Sequence, residues 1–190
     1  MELQKIGVKF YATGPLPVDP EILTTVFHRW IQSHSVAGLL IDVADYRHME
    51  KDPCVVLVAH EGHYVVSEDT RRFAMAYERR IEQDGDLESR VRGALTIAVE
   101  ACGQLLSEPE FVGKTGFGGE EWELFSNDRL LAANDERGEA LMRPAIVRVL
   151  DAIYGSGGYE LCGEPDAKER LRFTVKPHEA QPLSQLLSGL

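Results

Sequence analysis

VVLVAHEGHYVVS, residues 55–67, is the stretch whose reading decides the fold. Apolar, largely β-branched residues run up to His60-Glu61-Gly62-His63 and resume after it. That is the pattern of two antiparallel strands joined by a tight turn. A two-residue loop of Glu61-Gly62 would make His60 and His63 the last cross-strand pair, with Cβ atoms about 4.5–5.5 Å apart on one face. Two imidazoles so placed can share a metal ion or a proton. Glutamate is poorly suited to the positive φ of a type I′ turn, so a type I turn with Gly62 as the left-handed bulge residue competes. It would carry His60 to the tip and separate the pair. The H-E-x-H spacing is not the helical H-E-x-x-H of metalloproteases, whose i, i+4 geometry a strand cannot reproduce.

Working outward, Gly38 precedes LLIDVAD, residues 39–45. The unbroken apolar start reads as a strand covered on both faces, as at the centre of a sheet. Asp42 and Asp45 follow it, three residues apart and so on opposite faces of one strand. If this strand passes beside the hairpin, Asp42 and His60 become candidate catalytic groups. His60, His63 and Glu61 become candidate ligands for a divalent metal, with Tyr46 and His48 extending the patch. A second candidate is the turn Asn127-Asp128-Arg129, where Arg129 can hold a carboxylate or phosphate ligand and Asp128 can pair with it. The structural alternative for each cluster is plain: a polar hairpin tip, the start of a loop, a turn with a local ion pair.

The rest of the chain alternates strands and helices. Residues 6–12 (IGVKFYA) read as a first strand. Asp19-Pro20-Glu21 is a helix start: a side-chain acceptor at the N-cap, proline at the first helical position and an acid in the first turn. Ile22, Leu23, Val26, Phe27, Trp30 and Ile31 then trace one apolar stripe towards His34. Residues 73–77 (FAMAY) read as another strand. Asp86 caps a helix over 87–106, with small Ala94, Ala98 and Ala101 on its apolar stripe, where another element can approach closely. Residues 122–125 form a short strand. Asn134 or Asp135 caps a helix reaching Tyr154; Pro144 inside it predicts a short first turn and a main segment starting at the proline. Strands over 159–162 and 171–175 follow, then a weak apolar helix, LSQLL, either frayed or docked on a partner. The predicted order is β-α-β-β-β-β-α-β-α-β-β. This is an α+β fold: a mixed, mostly antiparallel sheet with about three helices packed on it. The expected organisation is one domain over residues 1–190, with two tightly packed halves meeting near residue 80 as its variant.

Composition narrows the function classes. The chain of 190 residues is 44% hydrophobic and 27% charged, which is globular. Its net charge of −11 repels phosphate backbones, so nucleic acid is not an expected partner without a local basic patch. The Arg71-Arg72 and Arg79-Arg80 pairs lie beside acids and read as solvated surface. Cys54, Cys102 and Cys162 show no C-x-x-C spacing, arguing against a zinc ribbon or a disulfide framework and for a reducing compartment. Cys54 and Cys102 read as core residues. Nothing resembles a signal peptide or the ~18-residue apolar run of a membrane span, so the expected location is cytoplasmic. Gly113-Lys114-Thr115 is not a phosphate-binding loop, since Glu108 stands where that motif needs glycine.

IDVADY (41–46), VLVAHEGHY (56–64) and SNDRLLAAN (126–134) together resemble phrases in small uncharacterised bacterial proteins of similar length. The resemblance implies no activity and transfers no catalytic residue. Two functions are therefore expected. One is a non-catalytic protein acting by binding a partner or small ligand, self-associating as a homodimer through exposed helix faces and the apolar tail. The other is a small metal-assisted or acid/base enzyme built on His60, His63 and Asp42.

Overall fold

The computed structural model describes residues 2–47, 55–69, 72–117, 119–163, 166 and 168–189. His48, Cys54 and Arg71 lie outside the described residues. In chain order the elements are β1 (Ile6–Tyr11), α1 (Pro20–Ser33), β2 (Leu40–Asp45), β3 (Val55–Ala59), β4 (Gly62–Asp69), β5 (Arg72–Arg79), α2 (Leu87–Ser107), β6 (Trp122–Ser126), α3 (Glu136–Tyr154), β7 (Tyr159–Gly163), β8 (Arg172–Pro177) and α4 (Leu183–Ser188). The strands form one eight-stranded sheet in the order β2-β3-β4-β5-β1-β6-β8-β7. Every pairing is antiparallel.

The three long helices begin where the sequence places their caps. Asp19, Asp86 and Asp135 accept backbone N–H bonds from Glu21, Ser89 and Gly138 at 2.9, 2.8 and 2.9 Å, satisfying donors that the first turn leaves orphaned. The helices pack on one face of the sheet. α2 lies over β1 and β5, α1 over β2 and β3, and α3 beside α2 and over β7. Ile6, Val8 and Phe10 of β1, Phe73, Met75 and Tyr77 of β5, and Trp122 and Leu124 of β6 face this layer and are buried. Their sheet-facing counterparts include Val91, Ala94, Leu95, Ala98 and Cys102 of α2. The small residues let α2 approach closely.

Three local expectations are corrected. β2 is an edge strand, not a central one; Leu39 and Ile41 are 62% and 57% exposed. An apolar run does not by itself show that both faces are covered. α3 is continuous from Glu136 through Pro144. Pro144 and Ala140, whose carbonyl loses its helical donor, both lie on the exposed side, where water can replace that bond. The tail docks on its own chain: α4 packs against α2 and Leu186 is fully buried.

Leu186→Ala should therefore lower stability by about 2 kcal/mol, the low end for a buried leucine because a terminal helix relaxes easily. Urea unfolding at two protein concentrations checks this. A loss that is the same at both fits intramolecular docking; a concentration-dependent loss contradicts it.

Candidate functional site

Strands alternate faces, so the residues that do not meet the helices line a second, helix-free face. Cross-strand pairing aligns them in rows. One row runs Asp42, Val58, His63, Glu78, Gly7, Phe125, Arg172 across seven strands. The next runs Ala44, Val56, Val65, Ala76, Lys9, Glu123, Thr174. Together with the segments around Arg129 and Arg170 they bound a groove of about 700 Å³.

Phe125 gives the groove its fixed point. Gly7 stands opposite Phe125 in the ladder, and a Cβ on Gly7 would lie 2.2 Å from the ring. Glycine there lets the ring lie flat on the β1 backbone. The Arg170 guanidinium stacks on the other side, 3.6 Å from the ring centroid. Arg170 also donates to Glu78 Oε1 and Asn127 Oδ1, both at 3.2 Å. Asn127 Nδ2 donates to Glu78 Oε2 at 3.0 Å. A cation is thus held over the middle of the sheet by one aromatic and two polar partners. Beside it, Tyr11 donates to Glu123 Oε1 at 2.9 Å. Lys9 Nζ and the Arg72 guanidinium lie 5.1 and 4.3 Å from the Tyr11 ring centroid.

The sequence candidates fall into place differently. In the hairpin Val58 opposes His63, so the two-residue turn is His60-Glu61. His60 and His63 are not a pair: His60 is exposed at the tip, while His63 points into the groove. None of residues 60–62 has a positive φ. Gly62 serves packing, not the turn: a Cβ there would lie 2.6 Å from the Tyr77 hydroxyl and 2.7 Å from the Glu78 carbonyl oxygen. Glu61 closes the hairpin onto β2, accepting the Leu39 N–H at 2.8 Å. That bond holds its carboxyl below the usual glutamate range, against a smaller opposing effect of burial. The proposed metal trio of His60, His63 and Glu61 is therefore divided among three settings. Among the described residues no three His, Cys, Asp or Glu side chains group as metal ligands would.

Asp42 does share a face with His63, but Val58 stands between them, a separation of about 10 Å at two strand spacings. Asp42 instead accepts its neighbour Val43 N–H at 2.8 Å. Asp45 lies on the opposite face and pairs with Arg47 at 2.6 Å. Of the second cluster, Asn127 supports Glu78 and Arg170, and Asp128 forms a turn by accepting the Leu131 N–H at 3.2 Å. Arg129 lines the groove and ties its wall by donating to the Lys168 carbonyl at 2.9 Å. Sequence reading missed Lys9, Glu78, Glu123 and Arg170, and read Arg80, which lines the groove, as solvated surface. Strand alternation was the available signal for Lys9 and Glu123; none existed for Arg170, which precedes its strand.

Burial, and secondarily Arg80, lowers the His63 pKa below its ordinary value of 6.5, with Glu78 opposing. The folded state thus favours neutral imidazole. From pH 6.5 downward the unfolded chain takes up a proton that the folded chain resists, so stability falls with pH until the folded value is passed. His63→Gln should remove that slope, read as a flatter stability–pH curve between pH 6.5 and 5. Gly7→Ala should cost about 1–3 kcal/mol by displacing the Phe125 ring, measured by urea denaturation. An unchanged midpoint would mean that the ring is not held as described.

Comparison with family models, curated proteins and solved structures finds no match to this chain.

Proposed function

We propose that this chain is a binding protein that holds a small organic anion in the groove on the helix-free face of its sheet. One observation carries the reading: the local charge is inverted. The chain has 20 Lys and Arg against 31 Asp and Glu, yet six Lys and Arg against three Glu line the groove. Setting aside the Arg170–Glu78 ion pair, five Lys and Arg still face two Glu, of which Glu123 accepts from Tyr11. Concentrating cations on a partly desolvated surface is useful only towards negative charge, and guanidinium groups suit carboxylates and phosphates. The volume lies within the range of roughly 300–1,000 Å³ common for small-molecule sites. The acidic remainder of the molecule disfavours long polyanions, which would extend beyond the groove.

Succinate, followed by NMR at low ionic strength, provides the test. Binding should be weak, lost with added salt, and accompanied by a rise in the His63 pKa as an anion settles nearby. Arg170→Gln should weaken it about fivefold, roughly 1 kcal/mol for one charge near a surface. Glu78→Gln, which can keep its bonds to Arg170 and Asn127 while losing an opposing charge, should tighten it. Succinamide, the neutral analogue, should not bind. Equal response to succinate and succinamide, or no response to either, would contradict the reading.

A further inference from the structure

Two arginines of this chain are fixed in place, and they use their donors differently. Arg90, with a side chain only 6% exposed, engages its whole fork. Its Nε donates to the Gln83 carbonyl, Nη1 to the Leu3 carbonyl, and Nη2 to Glu2 and the Gly85 carbonyl. Arg170 is fixed by its plane and one nitrogen. Phe125 stacks on one face of the guanidinium, 3.6 Å from ring centroid to carbon. Nη1 alone makes the hydrogen bonds, to Glu78 Oε1 and Asn127 Oδ1. Nε and Nη2 meet no acceptor among the described residues. Their two N–H groups point in parallel from the edge of the guanidinium opposite Nη1. The side chain is 36% exposed and lines the groove. What stays open is a two-donor fork of fixed orientation.

Glu78 balances Arg170 itself but not the cations around it. Arg172, the cross-strand partner of Phe125 on β8, and Arg80, just beyond β5, also line the groove. Neither pairs with an acid among the described residues. Arg80 and Arg172 thus supply uncompensated charge, and Arg170 supplies geometry.

We propose that Arg170 selects the ligand of the groove by shape: Nε and Nη2 donate side-on to the two oxygens of one carboxylate group. This rests on the anion-binding reading and deepens it, from a charge to a functional group. A spherical anion meets such a fork at one point and gains charge alone. A carboxylate places two oxygens at the spacing of the two donors. It is also planar, so it continues the plane that Phe125 imposes on the guanidinium. A tetrahedral phosphate bound to the same edge carries oxygens above and below that plane, one of them turned towards the sheet.

The Nε–H resonance of Arg170 reads the fork directly in the wild-type chain, at mildly acidic pH and low ionic strength where guanidinium protons exchange slowly. Succinate should move it downfield and slow its exchange with water. Sodium chloride at equal ionic strength should leave it in place, and inorganic phosphate should move it less than succinate does. Arg170→Lys keeps the charge and loses the fork; it should weaken succinate binding about as much as Arg170→Gln, with the thermal midpoint of the variant reporting its fold. Four results would overturn the carboxylate fork and leave the anion site standing: succinate bound with the Nε–H resonance unmoved, equal movement by chloride, larger movement by phosphate, or a folded Arg170→Lys variant that binds succinate as the wild-type chain does. No succinate binding by the wild-type chain would remove the anion site and the fork together.

Discussion

All the functional geometry depends on α2 lying flat over β1 and β5. That contact is made by residues too small to hold the helix away from the sheet, Ala94 and Ala98 beside Val91, Leu95 and Cys102, all buried. With α1, α3 and α4 arranged around it, every described helix sits on one side. The consequence is a sheet with the helices on one face and, on the other, a groove lined largely by charged side chains. A face without a covering layer must be polar, narrow or occupied. This one carries the buried charges Lys9 and Glu123 among closely packed side chains.

The open face is organised as closely as the core. Gly7 is required because Phe125 lies on it, and Arg170 is stacked over Phe125. Glu78 and Asn127 orient the guanidinium from its edge. None of these groups is needed to bury apolar surface against the helices. Their arrangement keeps a cation at a fixed position over the sheet, the preorganisation that the proposed anion site relies on. The acidity of the chain then makes the groove distinctive rather than merely basic.

Much of the fold was legible in the residues because it rests on local chemistry. Asp19, Asp86 and Asp135 announce their helices through capping, and the alternation in residues 6–11 and 122–126 separates Ile6, Val8 and Leu124 from Lys9 and Glu123. What could not be read involves distant partners. The exposure of Ile41 depends on which strand lies at the edge. The register of the hairpin depends on Gly62, whose small size is demanded by Tyr77 fifteen residues later, not by its own turn. The groove was not legible for the same reason. His60 and His63 are neighbours in sequence, but the groove is assembled from Lys9, Glu78, Glu123 and Arg170, residues that only the ladder β5-β1-β6-β8 brings together.

Backbone amide shift mapping during titration with succinate tests the central claim most directly, because it locates binding without assuming it. The account predicts perturbations concentrated at the charged lining of the groove on the helix-free face, including Lys9, Glu78, Glu123 and Arg170. Perturbations centred instead on the apolar cleft between α2 and α4, around Ile97, Ala101 and Leu187, would contradict it.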